Sequence, residues 1–457
     1  MLTTSRSILR RLAHLAWPVL VAQVAVVANG VIDTMMAGRL SALDLAAVGI
    51  GTAIYITVFM TCMGVLLALT ATVAQHSGAG RRAEIGEDVR QSAWLALLLS
   101  LLGMVLLRHP EPFLALAKLT PAVETKVRAY LDAVSWGMAP AMAFRIFYGF
   151  MSGIGRPRAI MAFNLLGLAA KVPLNALFMF HLDMGAAGCA ASTAAISWGT
   201  ATLAWSWCAR QTEYAEFGIF ARLTRPKPAA MLALLRLGLP IGVTLLVDVT
   251  AFTFMALFIA RLGPTVSAAH QIAANLTVLT FMIPLSMGHA ALVLAGQALG
   301  AGDAVTARRT GLIGLGLGLA VSALVSLCLW LGAEWLAATY TPDAQVRAAA
   351  ASLIAIIAFY HLADALQAVT VNVLRGYKKT TVPMVVYAIS LWGVGLGGGY
   401  ALGLTDLLGA ARGAAGFWLA ASGGVLLAGM IVLVYFLRIS KTGTPTSGHA
   451  AINRSID

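Results

Sequence analysis

Three aspartates stand inside long apolar stretches of the sequence: Asp33, Asp248 and Asp364. An ionised carboxylate surrounded by hydrocarbon is costly, so such a residue is a functional candidate by default. Two carboxylates that lie close together in a dry site cannot both stay ionised and unpaired, and they take up a proton or a small cation. The three aspartates therefore predict cation binding within an apolar environment.

Oxygen ligands suit a hard cation such as Na+. Asp248 and Asp364 offer carboxylates, Tyr360 lies one turn before Asp364, and Gln271 or Asn275 offers an amide oxygen. Asp248 and Asp364 are thus the predicted Na+ ligands if the cation is Na+, whereas H+ needs only the carboxylates. No catalytic residue and no cofactor are expected.

Cysteine spacing does not point to a further metal site. The four cysteines fall in or at the ends of apolar stretches, without metal-ligand spacing: Cys62, Cys189, Cys208 and Cys328. They are predicted to serve packing.

Composition determines which elements carry these residues. Of the 457 residues, 60% are hydrophobic and 11% are charged, against about 25% charged in soluble domains. Apolar stretches that reach the roughly 20 residues needed to cross about 30 Å of hydrocarbon recur along the chain. The alternating ten-residue pattern of membrane strands is not seen in the sequence. The chain is therefore predicted to be an all-α polytopic membrane protein.

The hydropathy pattern predicts twelve transmembrane helices. They are placed near residues 12–37, 45–75, 91–108, 127–150, 159–181, 185–209, 231–260, 265–298, 309–333, 345–373, 381–404 and 413–437. The longest connection is rich in arginine, lysine and proline and divides the chain almost in half. The predicted organisation is an N-terminal lobe (1–209, helices 1–6), a cytoplasmic linker (210–230), a C-terminal lobe (231–437, helices 7–12) and a cytoplasmic tail (438–457).

The second half repeats the first. A shift of 222 residues aligns Leu15–Pro18 with Leu237–Pro240 and Gln75–Gly80 with Gln297–Gly302 without a gap. A chance match between apolar segments is the alternative, and the matched polar residues argue against it. Six helices per half is an even number, so both lobes enter the membrane from the same side. They are predicted to be related by an axis along the membrane normal.

The three aspartates break this repeat. At the same shift their counterparts are apolar: Met255, Val26 and Met142. Asp248 and Asp364 are both predicted to lie about 15 to 21 Å from the N-terminal side of the membrane, at 1.5 Å per residue. They are therefore predicted to share one site in the second lobe.

Basic residues orient the helices. By this placement 20 of the 31 Lys and Arg residues lie on the side of the N-terminus and 8 lie in the opposite loops. Both termini are therefore predicted to be cytoplasmic. The formal charge of +13 is explained by loops that face anionic lipid, and no nucleic-acid partner is expected. The first apolar run is longer than the core of a cleavable signal.

Several segments resemble the NorM branch of the multidrug and toxic compound extrusion (MATE) family. The resemblance covers nearly the whole chain and is carried by Val31–Gly38, Ala269–Gln271, Asp364–Gln367 and Leu374–Lys378. It implies a transporter, not an enzyme, in the bacterial inner membrane. Its implied activity is multidrug efflux of organic cations and some zwitterionic drugs, including dyes and fluoroquinolone-like compounds, in exchange for Na+ or H+. Such an antiporter works by alternating access, and its export of drugs confers antibiotic resistance.

The resemblance also implies roles for second-lobe residues. Asp248 stands where the NorM branch has a glutamate for cation coupling. Asp364 matches its aspartate, and Tyr360 matches its accompanying tyrosine. These residues, with Gln271 and Asn275, form the expected cation-coupling site.

In the first lobe, Asp33 matches the aspartate of the NorM branch, and Asn175 and Thr193 match polar residues of its hydrogen-bond network. Lys171 departs from the pattern, because this position usually holds asparagine. Asp33 and Lys171 are both predicted to lie beyond the membrane midplane. If they pair, both can keep their charges, and an arriving organic cation can compete with Lys171 for Asp33. The alternative is that Lys171 extends to the outer interface without touching Asp33.

Candidate residues for a substrate cavity are Met35, Met36, Phe252, Phe254 and Met255, since polarizable and aromatic surface suits a flat organic cation. Each of them can instead pack in the core or face lipid. The expected partners are small organic cations and the lipid bilayer, and the protein is expected to be a monomer.

Two other classes of function also occur among polytopic helical membrane proteins. A lipid-linked oligosaccharide flippase shares the general architecture, but it would need several buried cationic residues for a pyrophosphate, and the intramembrane candidates here are mostly acidic. A membrane-embedded enzyme would need a nucleophile and base, or metal ligands, at one depth. The eight histidines are scattered mostly near helix ends and form no such cluster in the sequence.

Overall fold

The structure is a computed structural model that describes residues 5–117, 119–221 and 224–441. The described chain is helical apart from its connections and one isolated bridge between Leu407 and Gly409. Lys118 and Arg222, which belong to the basic residues counted for the membrane orientation, lie outside the described residues, as does the predicted tail after Lys441.

Ten helical stretches of the described chain are long and apolar enough to cross a membrane. They are Ser5–Gly38, Ala42–Gly78, Arg82–Arg108, Pro157–His181, Pro228–Ala260, Pro264–Gly300, Ala304–Leu331, Ala344–Gly376, Thr381–Leu404 and Gly413–Lys441. Two further stretches complete the twelve: the interrupted helix Pro121–Ser135 with Met138–Gly153, and Gly185–Arg210. In chain order these are spans one to twelve, with the interrupted helix as span four and Gly185–Arg210 as span six. Three short helices lie in the connections: Glu111–Ala117, Thr212–Ala215 and Ala333–Tyr340.

Proline and glycine set several of the span boundaries. Spans five, seven and eight each carry a proline in the first turn, where the missing N–H costs nothing. Spans two and eight end in turns through Gly80 and Gly302, whose φ angles are 71° and 79°. Side chains other than glycine rarely adopt this conformation. The two glycines are equivalent under the 222-residue shift, so the repeat preserves the turn.

Each half of the chain has its own apolar core. The first core is formed by spans one to six and receives Leu234 from the start of span seven. The second is formed by spans seven to twelve. A third cluster contains Ile8 and Leu12 of span one together with Ala291 of span eight. The fold is therefore two six-helix lobes, as predicted, and the starts of spans one and seven cross between them.

The lobes touch at the membrane face where Ser5 lies, called here the Ser5 side. The side-chain amide of Gln75 donates to the carbonyl of Gly376 at 2.9 Å, and that of Gln297 donates to the carbonyl of Gly153 at 3.0 Å. Gln75 and Gln297 are equivalent under the shift, so each lobe holds the other by the same contact. These reciprocal bonds form the inter-lobe seal.

Two spans of the described chain depart from regular α-helix, at places that the 222-residue shift does not align. Span five changes to a π-helix over Ala176–His181, and span eleven changes over Ile389–Gly397. Such π segments often occur at functional sites. In span five the change follows Asn175 directly, and in span eleven it begins two residues after Tyr387. Both residues belong to the polar sites described next.

Candidate functional site

An ion pair lies inside the first lobe. Lys171 Nζ is 2.8 Å from Asp33 Oδ1. Lys171 is 1% exposed and Asp33 is 9% exposed. Because spans one and five are neighbours, the aspartate near the end of span one meets the lysine of span five. Lys171 therefore does not extend to the interface, and both charges are neutralised within the lobe.

Neutral polar groups complete the first-lobe site. Asn175, four residues after Lys171 and on the same helix face, donates to Asp33 Oδ1 at 2.7 Å. The Lys171 ammonium also donates to the hydroxyl of Thr193 at 2.6 Å and to that of Ser192 at 3.3 Å. Ser192 in turn donates to the side-chain carbonyl of Asn175. The ammonium thus has three oxygen partners.

The second-lobe site holds two carboxylates. The hydroxyl of Tyr387 donates to Asp248 Oδ1 at 2.5 Å. Asp364 is 5% exposed and Tyr360, one turn before it, is 2% exposed. Asp248 and Asp364 lie close enough to act on each other's charge. Among the described residues, neither forms an ion pair with a lysine, arginine or histidine. In contrast to Asp33, these carboxylates have no internal counter-charge.

Aromatic rings enclose Tyr360 on the side of span twelve. Its ring packs edge-on against Phe252 and Trp418, with centroid distances of 6.2 and 5.6 Å. The ring of His270 lies 5.7 Å from that of Trp418. This apolar wall keeps the neighbouring carboxylates out of bulk water, and it raises the cost of a bare charge there.

Other predicted site residues lie apart from these two sites. Gln271 and Asn275 are exposed on span eight, and among the described contacts they have none with Asp248 or Asp364. The oxygen atoms that lie near the two carboxylates and could bind a cation belong instead to the hydroxyls of Tyr360 and Tyr387.

The five candidates for the substrate cavity occupy different environments. Met35 is 60% exposed, whereas Met36 packs partly against the first core. Phe254, 36% exposed, packs against Trp392 at 5.7 Å. Met255 is 4% exposed in the second core, and Phe252 belongs to the aromatic wall. The five side chains therefore do not form one surface.

Sequence reasoning missed three residues of these sites: Ser192, Tyr387 and Trp418. Ser192 directly precedes Thr193, so its neighbour was a signal. Tyr387 lies within the predicted eleventh helix. A neutral phenol is common in an apolar helix, so it is a weaker sequence signal than a carboxylate. Trp418 is fully buried, but a tryptophan in a membrane helix carries no comparable sequence signal.

Two buried polar sites, one in each lobe of a twelve-helix bundle whose lobes meet at one face, define a polytopic membrane transporter. The chain belongs to the MatE family, which confirms the resemblance seen in the sequence. The family's sequence profile matches residues 18–177 and 240–401. The two matches begin at Pro18 and Pro240, which the 222-residue shift aligns.

Curated relatives are similar over most of their length. The chain is 40% identical over 87% of its length, and 87% of the relative's, to a probable multidrug resistance protein NorM of Aromatoleum aromaticum. It is 38% identical to the multidrug resistance protein PmpM of Pseudomonas aeruginosa, over 90% of this chain and 88% of that protein. The fold is similar to the crystal structure of the eukaryotic MATE transporter AtDTX14. The TM-score is 0.87 at 16% identity, covering 96% and 98% of the two chains.

Proposed function

We propose that this protein is a secondary active multidrug efflux antiporter that exports organic cations in exchange for Na+ or H+. The observation that carries the proposal is the difference between the two lobes. The carboxylates of Asp248 and Asp364 have no described ion-pair partner, whereas Asp33 is paired with Lys171. Asp364 is buried and Asp248 is partly exposed, and a carboxylate pair in an apolar site without a counter-charge takes up a cation. The coupling cation therefore binds in the second lobe.

The donor set suits either coupling ion. Two carboxylates and the hydroxyls of Tyr360 and Tyr387 provide oxygen atoms, which Na+ prefers. The same carboxylates accept a proton when no metal ion is bound. In both cases the bound cation removes the net charge of the site, and the neutral site can then close against its apolar surroundings at lower cost. Cation binding is thereby linked to the relative position of the lobes.

In the first lobe, Lys171 takes the place of a transported cation. Because its ammonium already neutralises Asp33, this lobe does not need to load an ion. An organic cation that reaches Asp33 must displace Lys171, so the pair acts as a latch that responds to substrate. Coupling and substrate response are thus divided between the lobes.

The proposed orientation places the Ser5 side in the cytoplasm of a bacterium, with the protein in the inner membrane as a monomer. The lobes comprise residues 1–209 and 231–437, joined by a cytoplasmic linker at 210–230. With the inter-lobe seal on the cytoplasmic side, the space between the lobes faces outward. The printed names of the curated relatives, which are multidrug resistance proteins, support export of drugs.

The test is ethidium transport by purified protein in proteoliposomes, with a Na+ gradient and a pH gradient imposed separately. We expect one of the two gradients to drive transport. Asp248→Asn and Asp364→Asn should each abolish gradient-driven transport while leaving folded protein in the membrane. Asp406→Asn is the matched control, because Asp406 is an exposed aspartate of the same lobe. Wild-type transport by both site variants at equal protein amounts would contradict the proposal.

A further inference from the structure

A guanidinium inside the helical bundle lacks a described acidic partner. Arg145 lies in the second half of span four, Met138–Gly153. Its guanidinium carbon is 5.5 Å from the ring centroid of Phe59 and 5.7 Å from that of Tyr148. The groups that act on its charge are the phenols of Tyr55 and Tyr148. Among the described residues, no carboxylate forms an ion pair with it.

Several basic residues in or near the helices do have such partners, whereas among the described contacts Arg375 of span ten donates only to the side-chain amide of Asn372. Lys171 is paired with Asp33 at 2.8 Å, and Arg108 is paired with Asp132 at 3.1 Å. An aromatic ring attracts a cation but does not neutralise it. An unpaired charge in the membrane is costly enough to indicate a function. Arg145 therefore lies where an anion would restore the balance of charge.

The position of Arg145 is between the lobes. Tyr148, one turn further along span four, packs edge-on against His289 of span eight at 5.9 Å. Arg145 is partly exposed, whereas Phe144, Ile146, Phe147 and Tyr148 beside it in the same helix are buried. The guanidinium therefore faces the space between the lobes, beside a contact that joins them.

A stacked pair of aromatic rings lies next to this charge, and one of them, Tyr55, is partly exposed. Tyr55 and Phe59 of span two are stacked with a centroid distance of 5.4 Å and an interplanar angle of 22°. Phe59 is 9% exposed, and the Arg145 guanidinium lies over its ring. A guanidinium fork matches one carboxylate, and an aromatic ring such as that of Tyr55 matches a flat aromatic body.

Arg145 lies at a depth in the membrane similar to that of Asp364 in the second-lobe site. Gly153 and Gly376 are the two acceptors of the inter-lobe seal. Arg145 precedes Gly153 by eight residues and Asp364 precedes Gly376 by twelve, which places them about 12 and 18 Å from the seal. A positive and a negative group thus lie at similar depth in the two lobes. A molecule that carries a carboxylate as well as a positive charge can compensate Arg145, whereas a simple cation cannot.

We propose that Arg145 binds the carboxylate of a planar amphoteric substrate and that Tyr55, supported by the buried ring of Phe59, packs against the aromatic body of that substrate. This inference rests on the proposed function, and it assigns a specificity-determining residue to it. Cationic substrates without a carboxylate do not use Arg145. The variant Arg145→Gln should therefore weaken binding of substrates that carry a carboxylate and leave binding of purely cationic substrates unchanged.

The test is equilibrium binding to purified wild-type protein and to Arg145→Gln, with three probes. Norfloxacin carries a carboxylate and an ammonium group, its ethyl ester keeps only the ammonium group, and ethidium is a flat cation. We expect Arg145→Gln to raise the Kd of norfloxacin about tenfold, which is about 1.4 kcal/mol, and to leave the other two within about twofold. Arg145→Lys should give an intermediate Kd for norfloxacin, since it keeps the charge but loses the fork.

Arg108→Gln is the matched control, because Arg108 also lies over a ring, that of Trp136 at 4.6 Å, but is paired with Asp132. It should leave all three Kd values unchanged. An unchanged Kd for norfloxacin in Arg145→Gln would overturn the inference, as would an equal loss for all three probes. If Arg145→Gln does not fold, the same comparison is made with Arg145→Lys. Failure of wild-type protein to transport ethidium under either gradient would instead contradict the proposed function.

Discussion

The ammonium of Lys171 lies 2.8 Å from the carboxylate of Asp33 inside the first lobe, and both side chains are buried. Breaking a buried pair by removing one partner leaves an uncompensated charge, which costs about 3–5 kcal/mol. Each partner keeps neutral hydrogen bonds when it is alone: Asp33 accepts from Asn175, and Lys171 donates to Thr193 and Ser192. The pair therefore makes a specific prediction for single and double variants.

We expect Asp33→Asn and Lys171→Asn each to lower the thermal unfolding midpoint, because each leaves one buried charge unpaired. The double variant should be more stable than either single variant, with a coupling energy of about 1–3 kcal/mol. The measurement is thermal unfolding of the purified variants. Ethidium transport by the same variants gives a second double-mutant cycle.

Asp44 and Lys126 provide the control cycle, because this pair has the same distance of 2.8 Å but its lysine side chain is 38% exposed. Its coupling energy should be smaller, since water screens the charges. Additive effects of Asp33→Asn and Lys171→Asn on both stability and transport would exclude a latch.

The hydrogen bond from Tyr387 to Asp248 predicts a role in coupling for a phenol that the sequence analysis overlooked. Tyr387→Phe removes the only hydroxyl described as bonded to Asp248, so the charged carboxylate loses a hydrogen bond. We expect the pH midpoint of ethidium transport to rise, with protein stability lowered by about 1–2 kcal/mol. Tyr400→Phe is the matched control, because Tyr400 packs its ring on Phe258 in the same lobe and is 43% exposed. Equal pH profiles for Tyr387→Phe and wild type would argue against this role.

The inter-lobe seal depends on two glycines that are equivalent under the sequence repeat. A Cβ at Gly78 would overlap the carbonyl of Gln297, and a Cβ at Gly300 would overlap that of Gln75. Gly78→Ala or Gly300→Ala should therefore separate the lobes on the Ser5 side. Spin labels at the exposed, equivalent positions Ala83 and Val305 should report a longer distance by electron paramagnetic resonance.

Gly199→Ala is the control for this experiment, because a Cβ at Gly199 would meet nothing within 4 Å. The labelled protein carries Cys328→Ser, since Cys328 is the exposed one of the four cysteines. An unchanged distance in both seal variants would mean that close approach at these glycines does not hold the lobes together.

An ion pair in the inter-lobe connection makes stability depend on pH. The Arg156 guanidinium donates a hydrogen bond to Glu213 and lowers the pKa of that carboxyl from its ordinary 4.5. A lowered pKa in the folded state contributes stability above the ordinary pKa, and this contribution is lost as the pH falls through the folded-state pKa. Glu213→Gln should therefore lower the unfolding midpoint at about pH 7 and not at about pH 3. The exposed Glu334 provides the control, and a difference that persisted at low pH would contradict the prediction.

The distribution of basic residues predicts membrane orientation. A tag at Arg222 in the linker, or one in the tail after Lys441, should be accessible to a membrane-impermeant reagent only from the cytoplasm. A tag after Leu407, which is 80% exposed in a loop of the opposite side, should be labelled in intact cells. Labelling of the linker or the tail in intact cells would show that the orientation is the reverse of the one predicted.

The membrane class, the twelve helices and the two related lobes were predictable from the sequence, because hydropathy and the need to satisfy backbone hydrogen bonds in lipid act locally along the chain. The three aspartates were recognisable for the same reason, since each is a charge within an apolar run. The 222-residue repeat also indicated which helix ends would correspond, and the reciprocal bonds of Gln75 and Gln297 connect two of those ends.

Tertiary structure alone decided which side chains meet. Helical periodicity gives the depth of Lys171 and Asp33, but their pairing depends on the rotation and closeness of spans one and five. Tyr387 rather than Gln271 donates to Asp248 because span eleven turns its phenol towards span seven. Arg145 lacks a described acidic partner because its side chain lies between rings of spans two and four. Contacts of this kind arise from packing between distant segments, and local sequence does not contain that information.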